Sequence, residues 1–242
     1  MTNAEAQAAG LACGGMAQVL VEPVGRTIPV ELLENLVAAN AARQPIAYVT
    51  DLHKGAPRLA AADQFQARFQ ADQSGLEDDA TTFVVVHNPQ VQLVIVGGGE
   101  IARHLAPMAI ACGSKPIVID PRPGFATEAR FQGADIIANA PEVALQEQQL
   151  DARTALIALS HDPTMDDPAL VFALESPAFY IGALGSQASH AKRCERFKEA
   201  GYQDADLARL NAPVGLDIGA KHPAEIALSI MAEVTVRLRK GA

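Results

Sequence analysis

A chain of 242 residues with 49% hydrophobic content is long enough for one large domain or two small ones, at ~150 residues per domain, and apolar enough for a real core. Its formal net charge of −9, with no basic block longer than Arg237-Leu238-Arg239-Lys240, speaks against attraction to nucleic acid or to an anionic membrane. Residues 1–10 lack a basic start followed by an apolar stretch, and no run approaches ~18 uninterrupted apolar residues, so neither export nor membrane insertion has a signal and the cytoplasm is expected.

The chain opens on "GLACGGMAQVLVEP", residues 10–23, where Cys13 stands against Gly14 and Gly15 and leads into a predicted strand over 17–22. The three cysteines, Cys13, Cys112 and Cys194, form no CxxC pair, which argues against a disulfide framework and a cysteine zinc site. Cys112 and Cys194 read as packing residues, since an isolated cysteine usually behaves as a small buried hydrophobe. A helix over 30–44 follows Pro29, then a strand over 46–52 and a turn over 53–57. The polar, alanine-rich stretch 59–80 reads as partly helical or as a connection. Two β-branched strands over 82–96 are broken by Asn88-Pro89, a turn pair taken as the domain boundary. The division is then a small α+β domain over 1–88 and a second domain over 89–242.

Downstream, strand and helix alternate. "VQLVIV" precedes a helix over 100–112, and "PIVID" a short helical stretch. "ADIIA" leads to "PEVALQEQQL", and "TALIALS" to a helix over 166–176. "FYIGALG" leads to a helix over 186–201, and a long helix starts at Pro223. This order predicts an α/β chain with a parallel sheet and helices on both faces. In the final helix Ile226, Ile230, Val234 and Leu238 recur every four residues, an apolar stripe suited to docking on the core.

The strand ends carry the chemistry, because open α/β sheets bind ligands beyond the carboxyl ends of their strands. Gly97, Gly99 and Ala102, with Gly98 between, form a G-x-G-x-x-A pattern between a predicted strand and a predicted helix. Gly97 permits the tight turn, Gly99 lets a phosphate approach the backbone, and the helix N-terminus attracts the anion. Asp120 ends the next strand 21 residues after Gly99, close to the ~20 expected for a carboxylate on a ribose diol; the alternative is a turn starter beside Pro121 and Pro123. Glu100 stabilises its helix through the dipole but would sit beside the same phosphates, so either the ligand bypasses that corner or phosphate binding there is weakened.

Arg122, Ser160-His161-Asp162 and Gly185-Ser186 complete the crown of loops. His161 and Asp162 form a candidate proton donor or orienting pair, or Asp162-Pro163 caps the following helix. Ser186 is either a cap or a phosphate ligand at a second helix N-terminus. Arg193 and Arg196 on that helix read as solvated. No histidine pair has metal-ligand spacing, and no G-x-S-x-G elbow or Walker lysine occurs.

These stretches, with "VIDPRPGFATEARF", "ALSHDPTMDDPAL", "FYIGALGSQASHAKRCERF" and "APVGLDIGAKHPAEIALSIMAE", together resemble the XdhC/CoxI family of accessory proteins for xanthine dehydrogenase and related molybdenum hydroxylases. The resemblance spans nearly the whole chain. It implies a Rossmann-like C-terminal domain after a small N-terminal one, and a non-catalytic carrier that holds the molybdenum cofactor (molybdopterin), assists its sulfuration by a cysteine desulfurase, and inserts it into the apo-hydroxylase. Cys13 matches the family's cysteine-glycine-glycine motif linked to cofactor binding. A thiolate is a soft ligand for molybdenum or sulfur species, and Gly14 and Gly15 expose backbone N–H groups to a pterin phosphate.

Three departures from the family stand out. The chain begins shortly before Cys13, so part of the usual first domain, with its second glycine-rich motif, is expected to be missing; a homodimer rebuilding it across two chains is one consequence. Glu100 replaces a common histidine, and Gln187 a more usual Arg or Lys. The alternative from another class is an NAD(P)-dependent oxidoreductase using Gly97, Gly99 and Asp120 with His161 as acid or base; a third is a partner-binding protein without a cofactor.

Overall fold

The computed structural model describes residues 19–240. Cys13, Gly14 and Gly15 lie outside the described residues. The chain divides into two compact units, one up to Asn88 and the other from Pro89.

The first unit contains α1 (Val30–Ala41), β1 (Ile46–Asp51), β2 (Arg58–Ala61), a short α2 (Gln66–Ala71) after a 3-10 turn, β3 (Gly75–Leu76) and β4 (Thr82–His87). Its sheet, ordered β2-β1-β4-β3, is antiparallel throughout. Ala47, Val49, Ala60, Phe69 and Val84 form its core.

Three sequence expectations change here. α1 ends three residues early because Arg43 turns left-handed (φ 55°), and the Gln44 N–H folds back to the Ala39 carbonyl, a helix-terminating arrangement. The described part of the predicted strand 17–22 is not a strand. Pro23 restricts the backbone before it and lacks an N–H to donate, and the Glu22 carboxylate accepts hydrogen bonds from the Tyr48 and Thr50 hydroxyls instead. Within 59–80 a strand, β2, pairs with β1 from Ile46↔Ala61 to Val49↔Arg58. Its alanines favour other conformations, and cross-strand packing overrides that preference.

The second unit contains β5 (Gln92–Val96), α3 (Glu100–Ala111), β6 (Lys115–Ile119), β7 (Asp135–Ile137), α4 (Pro141–Ala144), β8 (Thr154–Ala158), α5 (Pro163–Leu174), β9 (Tyr180–Ala183), α6 (Gln187–Glu199), α7 (Asp204–Leu207), β10 (Leu210–Asn211) and α8 (Pro223–Lys240). Its six strands are all parallel, in the order β10-β9-β8-β5-β6-β7. From β5 the chain winds outward to β7, then returns to β8 on the other side. The carboxyl ends of β5 and β8 are therefore the switch point where such sheets hold ligands.

Alternation along β5 builds both faces. Leu93 and Ile95 point to one side, with Leu105 of α3 and Ile230 and Val234 of α8; Val94 and Val96 point to the other, with Leu145, Leu170 of α5 and Phe197 of α6. All of these side chains are 3% exposed or less, so the sheet is dry on both faces, as its near-continuous apolar strands require. The stripe on α8 docks as expected, with Ile230 and Val234 at its buried centre.

No helix forms between β6 and β7, against expectation. Pro121, Pro123 and Gly124 break it, and the segment instead crosses the loop after β5. Conversely, α5 starts at Pro163, before the expected 166, because Asp162 caps it and proline suits its first position. Two-residue β10 and four-residue α7 lacked a readable period. No described helix is long and apolar enough to cross a membrane.

Candidate functional site

At the β5–β6 corner, Gly97 has φ +104°, and a Cβ there would lie 2.7 Å from the Ser160 N. The turn after β5 thus fits only because it carries no side chain. At Gly98 a Cβ would meet the Phe125 carbonyl oxygen at 2.7 Å, whereas Gly99 faces open space. The helix that starts here, α3, brings Ala102, fully buried, against the sheet.

Asp120 is fully buried, and its oxygens are engaged by the chain itself. Oδ2 accepts from the Gly98 N–H (2.8 Å) and the Arg122 guanidinium (2.6 Å), and Oδ1 from the Arg122 N–H and Nε, both at 2.9 Å. Burial pulls the Asp120 carboxyl upward, but the hydrogen bonds from Arg122 and Gly98 more than offset it and hold it below the usual carboxylate range. Arg122 also stacks on Phe125, 4.0 Å from the ring centroid. Arg130 donates to the Gly98 carbonyl (3.0 Å) and pairs with Glu100 (3.3 Å), which also pairs with Arg103 (2.9 Å). Glu100 therefore presents its charge to two guanidinium groups.

At the β8 end, Ser160 leads into His161, whose backbone is left-handed (φ 63°). Asp162 Oδ1 accepts from the Thr164 N–H (2.9 Å) and hydroxyl (2.8 Å), a helix cap, and the Thr164 bonds hold its carboxyl below the usual range. The loop is pinned from below by Asp166, whose Oδ1 accepts from the Ser160 hydroxyl (2.6 Å) and N–H (3.1 Å). Asp166 is fully buried, and its Oδ2 has no hydrogen-bond partner. Burial pushes this carboxyl up, and the Ser160 bonds counter only part of that.

At the β9 end, Gly185 (φ +139°) turns the chain into α6, and Ser186 caps it by accepting from the Ser189 N–H (3.2 Å). Between these loops lies a cavity of about 180 Å³. His161 and Pro163 line one wall, Gly185, Ser189, Lys192, Arg193 and Arg196 the other. Asp167 on α5 holds the two arginines, taking Arg193 Nε at 3.3 Å and Arg196 Nε at 2.8 Å.

The crown thus brings Gly97, Gly98, Asp120 and Arg122 into one hydrogen-bonded corner, and His161 and Gly185 to opposite walls of one cavity. Sequence reasoning missed Lys192, Asp166 and Asp167, and it left Arg193 as solvated although it is only 5% exposed. The readable signal was the Ser189, Lys192, Arg193, Arg196 spacing, which puts all four on one helix face. Arg196 is exposed, as expected, but lines the cavity. Cys112, expected to pack, is exposed at the end of α3; Cys194 is half-buried against the core, its Sγ 3.5 Å from His190 Nε2.

Comparison with known proteins places this geometry. A "Molybdenum cofactor insertion chaperone PaoD" from Escherichia coli K12 is 33% identical over 159 residues, covering 65% of this chain and 44% of that protein. A probable xanthine dehydrogenase subunit from Bacillus subtilis 168 is 34% identical over 165 residues, covering 67% and 48%. The chain therefore spans about half the length of these relatives or less. A crystal structure described as a xanthine dehydrogenase from Bacillus halodurans superimposes with a TM-score of 0.65 over 88% of this chain and 65% of that one; at 23% identity it speaks for the fold alone. The sequence profile of the XdhC Rossmann domain matches residues 93–234, which is more than half of the 242, and the chain belongs to the XdhC family.

Proposed function

We propose that this protein serves in the maturation of a xanthine-dehydrogenase-type molybdenum hydroxylase, as a non-catalytic carrier that binds the molybdenum cofactor, assists its sulfuration by a cysteine desulfurase and passes it to the apo-enzyme in the cytoplasm. The family supports the maturation role, since its relatives include one named as a cofactor insertion chaperone and one named as part of a xanthine dehydrogenase. The observation that carries the binding part is the buried Arg193, whose Nη1 has no partner, in a cavity that also holds Lys192 and Arg196. A phosphorylated pterin is an anion, and these residues fit its charge.

The residues divide the work. Cys13, in the cysteine-glycine-glycine motif with Gly14 and Gly15, offers a thiolate for molybdenum or sulfur. Gly99 opens its backbone to the ligand, while Gly97, Gly98, Asp120 and Arg122 fix the loop that carries it. His161 and Gly185 line the cavity for the phosphate end, and Ser186 caps the helix beside it. The bound cofactor supplies the metal and sulfur chemistry that the recipient enzyme uses; the protein's own groups bind, orient and shield it.

A nicotinamide dinucleotide at Gly97–Gly99 draws on the same sheet topology. Its ribose would need an Asp120 carboxylate that already accepts from Gly98 and Arg122, which weighs against it. The test is reconstitution of a cofactor-free hydroxylase. Loaded protein should restore activity faster than free cofactor, and Cys13→Ser should remove most of the advantage; equal rates with and without the protein overturn the reading.

A further inference from the structure

The geometry points to a phosphate site distinct from the glycine loop: the cavity between the N-terminal ends of α5 and α6 binds a phosphate-monoester dianion. This deepens the carrier reading, and rests on it only for what the phosphate is attached to.

Four observations converge. Among the described residues, the cavity wall holds Lys192, Arg193 and Arg196 and no carboxylate, although the chain carries a net −9. Asp167 clamps Arg193 and Arg196 from behind, and the buried Asp166 also acts on Arg193, so the cavity lining keeps a positive excess that favours an anion. Arg193 is 5% exposed with Nη1 lacking any acceptor. A buried guanidinium N–H left unpaired is costly, and native structures rarely tolerate one without a ligand or water. Finally, α5 and α6, of 12 and 13 residues, both begin at this cavity; Asp162 and Ser186 cap them, and the positive ends of two helix dipoles add to the field of the cations.

Asp167 is the positioning residue. It fixes the Arg193 and Arg196 forks on α6, so both guanidinium groups are oriented before a ligand arrives. At about 180 Å³ the space takes a phosphate with part of the group it esterifies. Ser189 supplies a hydroxyl on the same wall, and His161 closes the opposite side.

The experiment is isothermal titration of the full chain with inorganic phosphate and with pyrophosphate, acetate serving as the monoanion control. Both phosphates should bind and acetate should not. Lys192→Ala removes an exposed side chain that the fold does not need, and should weaken phosphate about tenfold, the cost of one charge-assisted contact. Arg193→Gln should weaken it further, and circular dichroism checks that this variant remains folded. Lys198→Ala removes a cation from the same helix outside the cavity, paired with Asp204 at 2.7 Å, and should change nothing. No phosphate binding by the wild type, or equal losses from Lys192→Ala and Lys198→Ala, overturns the site. The same variants separate this inference from the one it builds on. Molybdenum-cofactor uptake that Lys192→Ala and competing phosphate leave untouched overturns the assignment of this site to the cofactor's phosphate and keeps the carrier. Phosphate binding without any cofactor uptake keeps the site and overturns the carrier.

Discussion

Two corners of one parallel sheet treat their polar groups in opposite ways. At the β5–β6 corner, Gly98 gives its N–H to Asp120 and its carbonyl to Arg130, and Asp120 spends both oxygens on Gly98 and Arg122. At the β8–β9 corner, Arg193 keeps a buried nitrogen unpaired beside Lys192 and Arg196. The first corner carries the recognisable glycine motif and pairs its glycine and carboxylate groups internally, with Arg130 Nε left over; the second has no motif and gathers three cations around one cavity. On the proposed reading, the motif marks the turn that builds the fold while the anion is held one strand away.

Substitutions can break or sharpen this contrast. The largest effect is expected from Gly97→Ala, which combines φ +104° with a Cβ 2.7 Å from the Ser160 backbone; a loss of about 3 kcal/mol or more in urea unfolding follows from strain and overpacking. Asp120→Ala comes next. It strands the Gly98 N–H and unties a half-exposed Arg122, for about 2–3 kcal/mol, and a negligible change in the urea midpoint would show that the corner is not self-satisfied.

Asp166 gives a pH-dependent effect of smaller size. Its folded carboxyl lies above the ordinary 3.8, so the native state binds the proton more tightly than the unfolded chain. The stability this contributes is fully present below 3.8 and is lost as pH rises through the raised value. Asp166→Asn keeps an acceptor for Ser160 and should flatten that fall; chemical denaturation at several pH values checks it, and parallel curves for the two proteins would refute it. Smallest of all is Gly99→Ala, whose added Cβ meets nothing within 4 Å. Stability should stay within about 0.5 kcal/mol of wild type, in contrast with Gly97→Ala, and thermal unfolding of the pair reads the difference directly.

Much of this was legible in the sequence because it is periodic or local. The β-branched strands with glycine or charge at their ends announced a parallel sheet, and the α8 stripe at four-residue spacing announced its docking face. Asp162 and Ser186 were readable as helix caps from position alone. The β6–β7 connection is not helical because Pro121, Pro123 and Gly124 break it, and its path across Gly98 depends on tertiary packing that no local pattern encodes. Arg193 escaped because its meaning depends on distance in space: Asp167 lies 26 residues away in sequence, and only the return of β9 beside β8 places α6 over the α5 N-terminus. Asp120 shows the reverse case, since its spacing suggested a ribose ligand while its partners, Gly98 and Arg122, become evident only when the loop folds over it.

The carrier account is tested most directly by anaerobic purification of the full chain from cells that make the molybdenum cofactor, followed by molybdenum and pterin analysis. It predicts near-stoichiometric pterin on the wild-type protein and a marked loss in Cys13→Ser. A folded wild-type protein that carries no pterin, and takes up none when offered excess cofactor, would contradict it.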